Sequence, residues 1–198
     1  LARRTAAYVK RGFTDLKLRV GIDSYERDKR RLGMMLELLP PHGRLSVDVN
    51  GGWRVDQALR RITELAHLGV AYVEQPIAPG NWSALAQILH DSPVPLMLDE
   101  DLKDLDSVKQ LSELQGPVAG HLKLPKLGGV GPLMEAARLL DAAGIPYMVG
   151  QMNEGACATA TIIHCALATN PSHCELYGAD GISNDPVVGL NYAQGAVE

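Results

Sequence analysis

Six short stretches of the chain end in residues that can do chemistry together. They carry Lys17 and Arg19, then Asp48 and Asn50, then Glu74, then Asp99 and Glu100, then Lys123, then Gln151 and Glu154. In order they read base, acid, acid, acid, base, acid. Three carboxylates converging in a partly dry space repel one another unless an opposite charge stands among them. A hard divalent ion supplies that charge, and ligation by oxygen alone favours Mg2+ or Mn2+ over zinc. Cationic residues on either side of the acid trio then suit a small anionic substrate such as a carboxylate. One acid in such a place is ordinary, solvated or capping the next helix. Three in succession make the signal.

Those residues need a scaffold, and the chain supplies a regular one. Apolar or β-branched runs recur at 14–20, 44–50, 70–75, 94–99, 118–124, 145–151 and 173–177. Segments of helical period lie between them. Val55, Leu59, Ile62 and Leu65 share one face of 55–65, and 104–114 and 132–143 behave likewise. Pro132 suits a first helical turn, and Gly144 suits a helix stop. A strand and a helix repeating every 25 residues or so predict parallel strands with helical crossovers. No Gly-x-Gly-x-x-Gly follows the first run, which weighs against an open dinucleotide-binding sheet. The expected fold is therefore α/β, a (β/α)8 TIM-type barrel, with its chemistry at the C-terminal ends of the strands. Residues 1–12 read as a helix leading into the first visible strand. The barrel is thus expected to be incomplete, lacking one strand before Leu1, with 1–198 forming one partial domain.

Composition narrows the function classes. With 46% apolar and 21% charged residues, the 198-residue chain is globular rather than disordered. Nineteen Lys and Arg against 23 Asp and Glu give a formal charge of −4. That offers no basic footprint for nucleic acid and no attraction to an anionic membrane surface. No apolar run approaches the roughly 18 residues of a membrane span, and the opening residues do not resemble a secretory leader. Three cysteines, Cys157, Cys165 and Cys174, form no Cys-x-x-Cys pair. They are expected to be reduced, buried thiols in a cytoplasmic protein.

The same stretches carry a resemblance. Gly12-Phe13-Thr14-Asp15-Leu16-Lys17-Leu18-Arg19-Val20-Gly21 resembles the Lys-x-Lys strand of the enolase superfamily, and Asp48-Val49-Asn50-Gly51-Gly52-Trp53 resembles its Asp-x-Asn strand end. Val73-Glu74-Gln75-Pro76 and Leu98-Asp99-Glu100 look like its next two metal-ligand strands. Leu122-Lys123-Leu124-Pro125-Lys126-Leu127-Gly128-Gly129 resembles its sixth-strand lysine with a Gly-Gly turn. Val149-Gly150-Gln151-Met152-Asn153-Glu154-Gly155 is similar to the seventh-strand segment of the muconate-lactonizing branch. Singly these are weak; six in order are specific for the mandelate racemase/muconate lactonizing enzyme group, over about residues 1 to 185.

The resemblance implies Asp48, Glu74 and Asp99 as Mg2+ ligands and Lys123 as a base that removes the proton α to a carboxylate. An α-carboxylate proton is so weakly acidic that the resulting enediolate must be met by fixed cations. Lys17 would hold the substrate carboxylate. The resemblance also implies an N-terminal capping domain, which nothing in this chain matches. Arg19 stands where the group has a second lysine, and an arginine stays protonated at ordinary pH. Arg19 is then expected to clamp a carboxylate or stabilise the enediolate, leaving Lys123 as the single base; the alternative is an unusually activated arginine base.

Other residues carry two readings. Asn50 contacts the acid cluster or makes an Asx turn. Glu154 orients substrate or caps the helix beginning near Gly155. Glu100 partners Lys123, Lys126 is a further cation near the ligands, and Gln151 lies beside the substrate. Trp53 is expected to pack against the following helix, and His164 to be a core histidine. Gly128, Gly129 and Gly131 form a tight turn, or cradle a phosphate. Asp180 and Asp185 select a cationic group at most. Competing functions are an acid-sugar or hydroxy-acid dehydratase, a Schiff-base barrel aldolase using Lys123, and a non-catalytic barrel; homo-oligomerisation stays open.

Overall fold

The computed structural model describes residues 1–197. The chain forms two compact units. The first holds Leu1–Glu100 with Gln115–Pro117 and Ala193–Ala196; the second is built from Asp101–Leu114 and Val118–Tyr192.

In the first unit the order is α1 (Ala2–Lys10), β1 (Asp15–Arg19), α2 (Tyr25–Leu36), β2 (Arg44–Asp48), α3 (Val55–His67), β3 (Val70–Glu74), α4 (Trp82–Asp91) and β4 (Leu96–Leu98). Its strands lie side by side in chain order and all run parallel. Alternate strand residues face opposite ways. Leu18, Leu45 and Val47 are buried in the apolar core, together with Leu32 of α2, Ile62 and Leu65 of α3 and Leu85 of α4. The other face carries Lys17, Arg19, Ser46 and Asp48. Arg19 is in register with Asp48 and Asp48 with Glu74, so the chemical residues stand in one row.

The second unit runs α5 (Leu105–Ser112), β5 (Val118–Lys123), α6 (Leu124–Leu127), α7 (Val130–Ala143), β6 (Tyr147–Gly150), α8 (Ala156–Thr169) and β7 (His173–Glu175), followed by a 3-10 turn at Gly178–Gly181. These strands are also parallel, with Lys123 opposite Gly150 and Gly150 opposite Glu175. A Cβ on Gly120 would press on Leu102, Leu111 and Leu140. That side of β5 faces the helices, so His121 and Lys123 face the other way. Gly144 ends α7 in the left-handed conformation at φ 68°, a shape glycine takes without strain. A small hairpin, β8 (Tyr192–Ala193) with β9 (Ala196–Val197), closes the chain.

All seven expected strands are present, each shorter than its apolar run by one to three residues. Three side-chain expectations need correction. Val55 is 43% exposed, and the buried face of α3 is instead Ala58, Ile62 and Leu65. His164 is exposed. The buried side of α8 is Ala156, Thr159, Ile162, Cys165 and Ala166, and His164 falls two residues past Ile162, about 200° around the helix. All three cysteines are free, but only Cys165 is buried; Cys157 and Cys174 are exposed, Cys157 because it lies one step off the buried face of α8 that begins at Ala156. Trp53 does pack against the following helix, with the Arg61 guanidinium 5.6 Å from its ring centre. Gly128 and Gly129 make the turn into α7, which begins at Val130. Among the described residues no helix is long and apolar enough to cross a membrane.

Candidate active site

The first unit gathers its acids at three consecutive strand ends. Glu74 is fully buried, Asp99 nearly so, and Asp48 half-buried. Lys17 Nζ lies 2.6 Å from Glu74 Oε2. Asn50 links two more acids: its Nδ2 donates to Asp48 Oδ2 and to Glu100 Oε1, both at 3.0 Å. Its backbone N–H donates to Asp48 Oδ1 at 2.9 Å. Gln75, buried, fixes the third acid. Its Oε1 accepts from the Asp99 N–H at 3.0 Å, while its Nε2 donates to the Ile77 carbonyl at 3.1 Å.

The backbone there is strained. Asn50 and Gln75 sit at φ 46° and 37°, where a side chain costs on the order of 1–3 kcal/mol. Both fall just past a strand that ends in one of the clustered acids, and their side-chain hydrogen bonds hold them there.

The electrostatics match the geometry. The Asp48 carboxyl is pushed up to about 6, first by burial and then by the Glu74 charge, with Lys17 opposing and Asp99 adding. Glu100 is also raised, chiefly by burial, although the Asn50 hydrogen bond works the other way. A cluster of carboxylate oxygens with no sulfur or imidazole from this unit is the donor set a hard divalent ion takes. Asp48, Glu74 and Asp99 therefore fit Mg2+.

The second unit contributes a separate set. Lys123, almost fully buried, ends β5. His121, two residues earlier on the same face, is fully buried with its Nε2 3.5 Å from Glu175 Oε2. Gln151 follows β6 and is buried. Its Nε2 donates to Thr159 Oγ1 at 2.9 Å and reaches Glu154 Oε2 at 3.4 Å. Lys126 is half-buried on α6.

The structure brings Lys17 to Glu74, and Asn50 to Asp48 and Glu100, at neighbouring strand ends of the first unit, with Asp99 tied by Gln75, and it sets Gln151 beside Glu154 in the second unit. Glu100, expected to partner Lys123, accepts a hydrogen bond from Asn50. Arg19 shares the row but has no side-chain partner among the described residues. Asn50 contacts the acid cluster, and its N–H also closes an Asx turn on Asp48. The helix cap expected of Glu154 is made by Asp185, whose carboxylate accepts from the Ala156 and Val187 N–H groups. That gives Asp185 a structural role. Gln75, His121, Thr159 and Glu175 were not assigned. A period-two reading back from Lys123 finds His121; nothing local marks Gln75 or Thr159.

Residues 1–189 match the family model described as Enolase C-terminal domain-like. The chain is 31% identical over 169 residues to the N-succinyl-L-Arg/Lys racemase of Bacillus cereus, covering 85% of this chain and 46% of the relative. It is 32% identical over 171 residues to a chloromuconate cycloisomerase of Pseudomonas putida, again 85% of this chain and 46% of the relative. The solved muconate lactonizing enzyme superposes on all of the chain with a TM-score of 0.92 at 25% identity, using 57% of its own length. The chain spans about half the length of the curated relatives it matches. Motifs, parallel β/α order and superposition agree: the chain belongs to the enolase superfamily, in the mandelate racemase/muconate lactonizing enzyme group, and is its α/β barrel-type C-terminal domain.

Proposed function

We propose that this chain is the catalytic domain of a Mg2+-dependent enzyme that abstracts the proton α to a carboxylate, of the cycloisomerase, racemase or epimerase class. The observation that carries this reading is the gathering of Asp48, Glu74 and Asp99 at adjacent strand ends, where burial first and the neighbouring Glu74 charge second push the Asp48 carboxyl up to about 6. When bound, the ion supplies a fixed positive charge that meets the charge developing on the substrate carboxylate. Lys123 takes the α-proton on Nζ. Lys17, beside Glu74 at the same strand ends, would hold the substrate carboxylate. Glu154, held by Gln151, orients the substrate, and Asn50 and Glu100 keep Asp48 in place; Lys126 adds positive charge nearby. The substrate is a small carboxylate, and the site has no call for nucleic acid or membrane. The cytoplasm, where Mg2+ is plentiful and thiols stay reduced, suits the three free cysteines.

The test is deuterium wash-in from heavy water, using the full-length protein and a panel of carboxylates. Exchange at an α-carbon that stops on chelation and returns with Mg2+ is expected. Exchange indifferent to chelation, or none with any carboxylate, overturns the reading.

A further inference from the structure

The loop after β2 holds a shape that is unfavourable on its own. Asn50 sits in the left-handed region at φ 46°, and a non-glycine residue stays there only where its surroundings over-determine it. Its side chain ties it to Asp48 and Glu100. Beyond it the backbone is clasped to the loop after β3. The Gly51 N–H donates to the Gln75 carbonyl at 2.8 Å, and the Trp53 N–H donates to the Pro76 carbonyl at 3.1 Å. Gln75 in turn fixes Asp99. One clasp between two loops therefore bears on two of the three acids.

The clasp ends on Trp53, and what holds Trp53 comes from the helices. The indole is 4% exposed and its Nε1 has no hydrogen-bond partner, so packing alone fixes the side chain. It meets Tyr25, the first residue of α2, edge to face at 6.4 Å. The Arg61 guanidinium, from α3, stands against both rings, 4.8 Å from the centre of Tyr25 and 5.6 Å from that of Trp53. A guanidinium is drawn to a ring face, and more strongly where water is excluded. The Tyr25 hydroxyl donates to the Arg61 carbonyl at 3.3 Å and closes the set. Lys29 also approaches the Tyr25 ring, at 5.1 Å, but it has Glu26 and Glu64 as partners. Arg61 forms no ion pair among the described residues, and its Nε is buried without an acceptor. A cation kept from carboxylates and set between two aromatic rings is placed to hold those rings together.

We infer that Arg61 is a positioning residue: bridging Tyr25 and Trp53, it holds the Asn50 loop in its strained form, and through Asn50 it holds the Asp48 carboxylate for a divalent ion. Arg61 itself acts only through the loop. Its part in ion binding rests on the proposed function; its part in holding the loop does not.

The test compares the full-length wild type with Arg61→Met, which keeps the reach and loses the charge, and with Arg61→Lys, which keeps the charge. In the metal-free proteins, amide exchange at Gly51 and Trp53 is expected to speed up about tenfold in Arg61→Met. Val47 in β2 and Leu65 in α3 are expected to stay as protected as in the wild type, and Arg61→Lys to restore most of the protection at the loop. By calorimetry, the Mg2+ dissociation constant is expected to rise roughly three- to tenfold in Arg61→Met and to return towards the wild-type value in Arg61→Lys. Unchanged exchange at Gly51 and Trp53, or exchange raised equally at Val47 and Leu65, overturns the inference. So does a lysine variant that behaves like the methionine variant. If Arg61→Met does not fold, Tyr25→Leu, which removes one ring and leaves the guanidinium, is read in the same way, with exchange at Gly51 and Trp53 expected to rise about threefold. Loosened exchange with unchanged Mg2+ affinity overturns the part in ion binding. A wild type that binds no Mg2+ removes the proposed function, and exchange at Gly51 and Trp53 still decides whether Arg61 holds the loop.

Discussion

Glu74 has no access to water, and Lys17 stands 2.6 Å away. A buried pair of this kind adds little over an apolar pair of the same size, but removing one partner strands a charge, at a cost of about 3–5 kcal/mol. Lys17→Met is therefore expected to destabilise the metal-free protein by roughly 3 kcal/mol in urea, with saturating Mg2+ restoring part of the loss. Equal stability of the two metal-free proteins would show that the pair does not hold in solution. Asp48 makes a prediction about acid. Its carboxyl lies at about 6 when folded, against an ordinary 3.8. Because the folded value is raised, ionised Asp48 is a strain on the folded state above about pH 6, and that strain is relieved as pH falls from 6 towards 4. The ion needs the ionised form, so Mg2+ affinity is expected to be flat above pH 7 and to fall about tenfold per pH unit below 6, with proton release at pH 6. Calorimetry in buffers of different ionisation heat measures both; an affinity unchanged down to pH 5 refutes the assignment. At this scale the sequence revealed the acids because each closes an apolar run. It did not reveal Gln75, whose role depends on the neighbouring strand bringing the Asp99 N–H within 3.0 Å. Pairing of that kind has no local signature.

Among the elements, the strands were legible because each falls within a short apolar or β-branched run, and β4, β5 and β6 are buried on both faces. The helices were less so. α3 was found from its apolar stripe, but its first residue, Val55, leans out to solvent because only the later turns cover the sheet. α2 went unremarked beneath its charge: Tyr25–Leu36 buries Leu32 and Met35 behind six charged residues. α8 lacks charge altogether, so its composition alone does not show which side is inward. Two element junctions make predictions. Gly150 ends β6 facing His121, and a Cβ there would overlap the imidazole. Gly150→Ala is expected to cost about 1–3 kcal/mol by overpacking, readable in a denaturation midpoint; a neutral outcome would mean that β6 and β5 are spaced more widely than in the structure. Asp185 spans 29 residues of sequence to cap the first N–H of α8 and binds the Val187 N–H as well. Asp185→Ala leaves both donors unmet and is expected to cost about 1–2 kcal/mol. Amide exchange should speed up at Ala156 while the centre of α8 stays protected, which separates a lost cap from a general loosening.

For the molecule as a whole, the acids of the first unit tie function to folding. Asp48, Glu74 and Asp99 come from 52 residues of chain, 48 to 99, and meet only because three parallel strands end side by side. An unfolded chain scatters them, so a divalent ion binds the folded form alone. By linkage, an ion at one hundred times its dissociation constant then stabilises the fold by about 2.7 kcal/mol. For a chain of this size that is a rise of roughly 5–10 °C in melting temperature. Scanning calorimetry of the full-length protein over a Mg2+ series, at constant ionic strength held with sodium, is expected to show the rise. Asp99→Asn is expected to melt at the wild-type temperature without Mg2+, or slightly above it, since one repelling charge is gone, and to respond weakly to the ion. A variant that gained as much from Mg2+ as the wild type would place the ion elsewhere. A wild type that gained nothing would leave the crowded carboxylates without the counter-charge on which the proposed chemistry depends.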